Sequence, residues 1–316
     1  MHLAFISSVE KVKQKGVYIM AQVEYKTASI IQPKRQKRGK LSELWRRFKR
    51  NRLAVTGLVI IVTLILTAIF ADFIAPYSYD QQNLQETFQS PSLKHFFGTD
   101  DFGRDTFSRI VYGSRISLEV GFVAVSISAI IGGTLGAMAG YYGGKVDHFI
   151  MRGIDILLSI PQILLAIAIV AALGPGLFNL MVAVGIASIP QYARIVQASV
   201  LSIRGQEFVE AAKAVGSSDF RIIFKHIIPN VIAPVIVQVT LGIAVAILSA
   251  AGLSFIGLGI QPPIPEWGAM LSSGRSYIRN YWFMTAFPGL AIMITIFGLN
   301  LLGDGLRDLL DPRLKD

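Results

Sequence analysis

The sequence has no cysteine. Disulfide frameworks, thiolate metal sites and cysteine nucleophiles are thereby excluded, and the redox compartment goes unreported. Charge is also scarce: Asp, Glu, Lys and Arg make up 16% of the 316 residues, against about 25% in soluble domains. The four histidines, at positions 2, 95, 148 and 226, fall in unrelated segments without ligand spacing, so no metal site is expected. No stretch fits Gly-x4-Gly-Lys-[Ser/Thr], because Gly144-Lys145 is followed by Val146 and lacks the first glycine. No phosphate loop for ATP is expected in this chain, and no catalytic residue, since no nucleophile stands with a base. Residues 1–20 carry Glu10, Lys11, Lys13 and Lys15 where the apolar core of a signal peptide would lie, so they read as neither signal peptide nor span. The codons of Lys15-Gly16-Val17 can hold a purine-rich ribosome-binding sequence, so a start at Met20 stands open beside one at Met1.

What the sequence has instead is apolar surface: 53% of residues are hydrophobic and the mean hydropathy is +0.54. A helix crosses a bilayer core of roughly 30 Å with about 20 apolar residues, and a central charge costs roughly 2.5–3.5 kcal/mol on insertion scales. Charge-free runs are therefore the signal. Residues 53–71, 120–144 and 280–303 give runs of 19, 25 and 24 residues, room for one span each. The run 156–193 is 38 residues long and is broken by Gly174-Pro175-Gly176, which predicts two spans joined by a tight hairpin. The 39-residue run 227–265 predicts one span over 231–256, followed by a Gly- and Pro-rich segment up to Glu266 and Trp267. That segment is read as external, with a re-entrant loop as the open alternative. The expected fold is all-α and polytopic, with six transmembrane helices.

The net charge of +10 is explained by topology and not by nucleic acid. Ten Lys and Arg lie in residues 34–52, and placing these in the cytoplasm puts twenty inside, without the four lysines before residue 30, and six outside. Both termini are then cytoplasmic. Residues 1–52 read as a cytoplasmic arm whose Leu41, Leu44, Trp45 and Phe48 form one face of a basic amphipathic helix on anionic lipid. The first transmembrane helix is expected over 53–75, an extracytoplasmic segment over 76–115, a core with five further helices over 116–306, and a cytoplasmic tail over 307–316.

Two segments carry more than hydropathy. Between spans four and five, residues 202–229 form a cytoplasmic loop containing Glu210-Ala211-Ala212, Gly216 and His226-Ile227-Ile228-Pro229. Gly216 suits the left-handed position after a helix, Ser217 or Ser218 can cap the next one, and Pro229 sets a boundary near the membrane. Ala211 and Ala212 give a smooth face for close approach of a partner, and Glu210 offers it one charge. From the residues alone, a plain helical connector remains open. The outer segment contains Gly98-Thr99-Asp100, Gly103-Arg104-Asp105 and Tyr112-Gly113-Ser114-Arg115-Ile116-Ser117-Leu118. For Asp100, Asp101, Arg104 and Asp105 two roles stay open: contact with a binding protein or gating of the outer mouth, and an internal salt-bridge network.

These motifs resemble the permease subunits of ABC importers. The loop is similar to the family's EAA loop, with His226 where many members carry an aliphatic residue. The outer signature is similar to the dipeptide, oligopeptide and nickel branch, C-type subunit, and Asp311-Pro312-Arg313 matches its usual ending. The resemblance covers about residues 41–311. It implies a type I ABC importer permease fold in the cell membrane and ATP-driven uptake of di- or oligopeptides, with nickel or another small solute as the alternative. It implies a non-identical B-type permease partner, two cytoplasmic ATPase subunits that bind ATP-Mg, an extracytoplasmic solute-binding protein, and no cofactor on this chain. Coupling to the ATPases falls to Glu210, Ala211, Ala212, Gly216 and Pro229. An ion-coupled secondary transporter would call for inverted repeats or midplane ionisable groups, and neither is apparent.

Within the spans, Gly132, Gly136, Gly140 and Gly144 recur every fourth residue, a pattern for close helix packing. Asn179, Gln191, Gln238 and Asn300 lie at membrane depth, with Gln162 nearer an end. Each has two readings: lining a translocation path, or satisfying a helix broken near Pro161 or Pro190.

Overall fold

A computed structural model describes residues 40–310; the expectations for residues 1–39 and 311–316 lie outside them. Two units divide the chain, one ending at Trp45 and one starting at Arg46. Of the first, the described part is the opening of helix α1 (Lys40–Arg50), whose last turn carries Arg47, Lys49 and Arg50.

The second unit is helical throughout its regular structure. Its elements are α2 (Arg52–Ile69), α3 (Thr106–Tyr142), α4 (Gly144–Leu158), α5 (Gln162–Leu173), α6 (Leu177–Ile203), α7 (Glu207–Ala214), α8 (Ile228–Phe255), α9 (Trp267–Gly274) and α10 (Phe283–Leu310). Among the described residues, five helices are long and apolar enough to span a membrane, namely α2, α3, α6, α10 and the stretch Asp219–Phe255 that contains α8.

The third expected span is bent. Its residues divide between α4 and α5, whose axes meet at 86°. Pro161 has no N–H to continue a helix, so the chain turns between Leu158 and Gln162. At twelve residues, α5 covers about 18 Å, well short of the bilayer core. The sixth span exists only if the bent pair counts as one. The Gly174–Gly176 break does fall between α5 and α6, with both glycines at positive φ (88° and 150°).

Helix α3 has 37 residues and is about 55 Å long, so it starts well before the charge-free run at 120. Its first turns occupy the last ten residues of the expected outer segment 76–115. Asn51 caps α2 by accepting from the Ala54 amide at 3.1 Å, and Asp105 caps α3.

Glycine lets the long helices meet at backbone distance. A Cβ on Gly132 would lie 2.5 Å from the Ile189 carbonyl oxygen, and one on Gly136 2.3 Å from that of Ala193. Together with Gly140 they seat α3 on α6. Gly144 is not part of that contact; it opens α4 at φ +51° with free space around it. Helix α2 packs along α10 in the same way, where a Cβ on Gly57 would lie 2.7 Å from the Gly298 oxygen. The largest apolar core lies between α3, α6 and α8, around Val120, Leu180, Val184 and Leu253.

The 257–266 connection folds over the start of α3: Arg109 donates to Pro263 O at 3.3 Å, and the Trp267 indole to Ile110 O at 3.1 Å. Helix α9 follows, capped by buried Glu266, which accepts from the amides of Gly268 and Ala269 at 2.9 and 2.8 Å.

Candidate functional site

The loop between α6 and α8 is built as a helix, a left-handed glycine and a second helix. Helix α7 ends in a Schellman motif: the Gly216 amide donates to Lys213 O at 2.9 Å and the Ser217 amide to Ala212 O at 3.1 Å. Gly216 has φ +75°, and a side chain there would meet nothing, so conformation and not space selects glycine. Ser218 takes the N-cap position of the next helix, but its side chain makes no capping bond.

Pro229 does not bound the helix as expected. Residues from Asp219 run into α8 without a break, through a π-helical turn over Ile222–Ile227 in which the Ile228 amide reaches back to Ile223 O. That five-residue register falls where Pro229 has no N–H to offer, so the proline is absorbed in the first turn of α8.

Helix α7 has two faces. Val209 and Ala212 are buried in a cluster with Val196, Val200, Ile222 and Ile227. Glu210, Ala211 and Lys213 are exposed. Ala212 therefore packs inward and is not part of a partner-facing surface, a correction to the expected Ala211-Ala212 pair. On either side of Gly216 the apolar residues Val215, Phe220 and Phe224 stand out, 80%, 71% and 52% exposed. An exposed rim on a buried base is the build of a docking surface.

The outer signature forms one buried knot before and at the start of α3. Asp105 accepts from the Ser108 amide at 2.7 Å, from Ser108 Oγ at 2.8 Å, and from His95 Nδ1 at 2.8 Å. Asp100 accepts from the Phe102 and Arg104 amides, both at 2.9 Å, and from Arg104 Nε at 2.7 Å, with Arg109 Nε 3.7 Å away. Thr99 Oγ1 accepts from the Gln89 amide at 2.8 Å. Gly98 and Gly103 have φ +74° and +69°, and Cβ atoms there would lie 2.4 and 1.9 Å from the carbonyl oxygens of Gln89 and Asn83. All six signature residues thus bond inward.

Asp101 differs: its Oδ1 is buried without a hydrogen-bond partner, and burial, then the Asp100 carboxylate, push its pKa up. Aromatic rings fasten the segment to the α9–α10 region, Phe97 stacking on Phe287 at 4.0 Å and Phe88 on Tyr281 at 4.5 Å between ring centres.

The membrane-depth polar residues separate. Asn179 donates to Leu173 O at 2.9 Å and Gly174 O at 3.0 Å, closing the end of α5. Gln162 donates to Ser188 Oγ at 2.8 Å and ties α5 to α6. Gln191 and Asn300 are exposed and Gln238 is half-buried; nothing in this single chain brings these three together. Sequence reasoning missed Tyr141, whose hydroxyl donates to Asp219 at 2.7 Å, and the His95–Asp105 pair. Neither pairing leaves a local signal, since the partners sit 78 and 10 residues apart.

Long apolar helices, one bent pair and a helical loop before the penultimate span fit a permease of the type I ABC importer fold. Solved structures agree on that fold: inward-facing MetNI methionine ABC transporter covers 64% of this chain and 96% of its own at a TM-score of 0.53 and 19% identity. By sequence the chain belongs to the family described as binding-protein-dependent transport system inner membrane component, matched over residues 132–316, with the N-terminal TM domain of oligopeptide transport permease C over residues 40–91.

It is 53% identical over 273 residues to the dipeptide transport system permease protein DppC of Alkalihalophilus pseudofirmus, covering 86% of this chain and 90% of the relative. To the glutathione transport system permease protein GsiD of Escherichia coli it is 47% identical over 277 residues, with the same coverage. It is a multi-pass protein of the cell membrane.

Proposed function

We propose that this chain is the C-type permease subunit of a peptide importer. It pairs with a non-identical B-type permease, receives di- or oligopeptides from an external binding protein, and is driven by two separate ATPases that carry the ATP-Mg. Both termini face the cytoplasm, the knot around Asp100 and Asp105 faces outward, and the chain itself hydrolyses nothing. The observation that carries the reading is the two-faced loop: Val209 and Ala212 anchor α7 to the core while Glu210, Ala211 and Val215 stay exposed. A connector with no partner would have no reason to present Val215 at 80% exposure beyond the membrane spans. The peptide class rests on the dipeptide and glutathione relatives.

The test is uptake of a labelled dipeptide in a strain lacking this gene. Complementation by the wild-type chain should restore it, and Glu210→Lys or Gly216→Pro should not, at equal membrane levels. Uptake surviving both substitutions would refute coupling through α7, and uptake of another solute in place of peptide would refute the substrate.

A further inference from the structure

We propose that Tyr141 is a positioning residue for energy coupling, a latch through which movement of the α7 loop is passed to α3; the proposal rests on the coupling reading above. Tyr141 stands in the last turn of α3. Its hydroxyl donates to Asp219 Oδ1 at 2.7 Å, and the Lys213 ammonium lies 5.2 Å from its ring centre. The ring is 7% exposed and belongs to the cluster that holds Val209 and Ala212 of α7 and Val200 of α6. One side chain therefore reaches both the last turn of α7 and the first residue of the helix after Gly216.

The two kinds of contact do different work. Apolar packing in this cluster excludes water but fixes no direction, so the loop can slide on it. A hydrogen bond to a carboxylate is short and directional, and it holds Asp219 to one point on α3. Asp219 is exposed and has water available, so its folding does not require the tyrosine. On its far side lies the π-helical turn at Ile222–Ile227, a register fault of the kind found at hinges and functional sites. A push on α7 therefore meets a soft joint toward α8 and a fixed bond toward α3.

Helix α3 is suited to carry that push. Gly132 and Gly136 bring it into backbone contact with α6, and its other end, 37 residues away, is capped by Asp105 in the outer knot. The loop and the outer segment are thus joined by one uninterrupted helix.

The test uses the complete reconstituted transporter and measures peptide taken up per ATP hydrolysed, together with the amount of ATPase retained. Tyr141→Phe keeps the ring and removes the hydroxyl. It should lower uptake per ATP about fivefold or more, the scale of one charge-assisted hydrogen bond, with ATPase retention unchanged. Asp219→Ala should do the same, the double variant should be no worse than either single, and Asp219→Asn, which keeps an acceptor, should restore most of the ratio. An unchanged ratio in Tyr141→Phe, or losses that add in the double variant, overturns the latch. Glu210→Lys in the same preparation separates the two ideas: if it loses the ATPase while Tyr141→Phe is silent, the latch alone falls. If Glu210→Lys retains both ATPase and uptake, the coupling reading falls and the latch with it.

Discussion

Replacing Asp105 by alanine removes three acceptor contacts at once from a side chain that is 3% exposed. The Ser108 amide, capped at 2.7 Å, becomes an orphan donor at the start of α3, which costs about 1 kcal/mol. His95, itself 3% exposed, loses the carboxylate 2.8 Å from Nδ1, and a buried donor without a partner costs about 1–3 kcal/mol. The loss expected is about 2–4 kcal/mol, a large share of the roughly 5–15 kcal/mol by which native proteins are folded. Denaturant titration of the purified transporter, followed by tryptophan fluorescence, measures it. Asp105→Asn should lose less, because the amide oxygen still accepts from Ser108. Asp80→Ala is the control: its carboxylate is exposed and meets Ser78, so a change within about 0.5 kcal/mol is expected. If Asp105→Ala costs no more than Asp80→Ala, the outer signature is not the buried knot described.

Gly103→Ala places a Cβ 1.9 Å from the Asn83 oxygen at φ +69°, and is expected to cost about 3 kcal/mol or more, read as loss of the chain from membranes. Gly136→Ala should cost about 1–3 kcal/mol by forcing α3 off α6, whereas Gly153→Ala, with open space around it, should be neutral or stabilising by about 0.5–1 kcal/mol; the same titration compares them. Asp101→Asn should be neutral or stabilising at neutral pH. Burial and Asp100 raise the folded pKa of Asp101, so its stabilising contribution is present below the unfolded pKa and lost as pH rises through the folded one. The advantage of the asparagine should therefore shrink as the pH is lowered through the carboxylate range, and a gain that grows on acidification would contradict the assignment.

Hydropathy made most of the helices readable, because a lipid-facing span cannot hide charge. It failed where protein supplies the partner. Arg109 and Arg115 keep the first turns of α3 out of any charge-free run, yet Arg109 is held by Tyr79 O at 3.0 Å, and Arg115 by Ile69 O at 3.0 Å and Asp72 at 2.9 Å. Helix α4 falls almost wholly between charge-free runs, because Lys145, Asp147, Arg152 and Asp155 lie in it. The apolar series Ile150, Ile154 and Leu157 at helical spacing was the signal that could have found it, and Pro161 marked the bend. In the loop, Gly216 was legible since a helix end needs φ > 0. The inward turn of Ala212 was not, because it follows from the i, i+3 pairing with Val209 and from a cluster supplied by α3 and α6. Asn179 was visible as a polar residue at depth, but its place at the open carbonyls of Leu173 and Gly174 depends on how α5 and α6 meet.

The central claim is that the exposed side of α7 meets an ATPase on the cytoplasmic face. Since the chain has no cysteine, Ala211→Cys creates a unique thiol on it, to which a photo-crosslinker can be attached in the assembled transporter. Ala211→Cys should crosslink to an ATPase subunit, with a yield that changes on adding ATP, and buried Ala212→Cys should label poorly. Labelling of Ala211→Cys from outside intact cells, or its full labelling with no crosslink to any ATPase, would contradict the account.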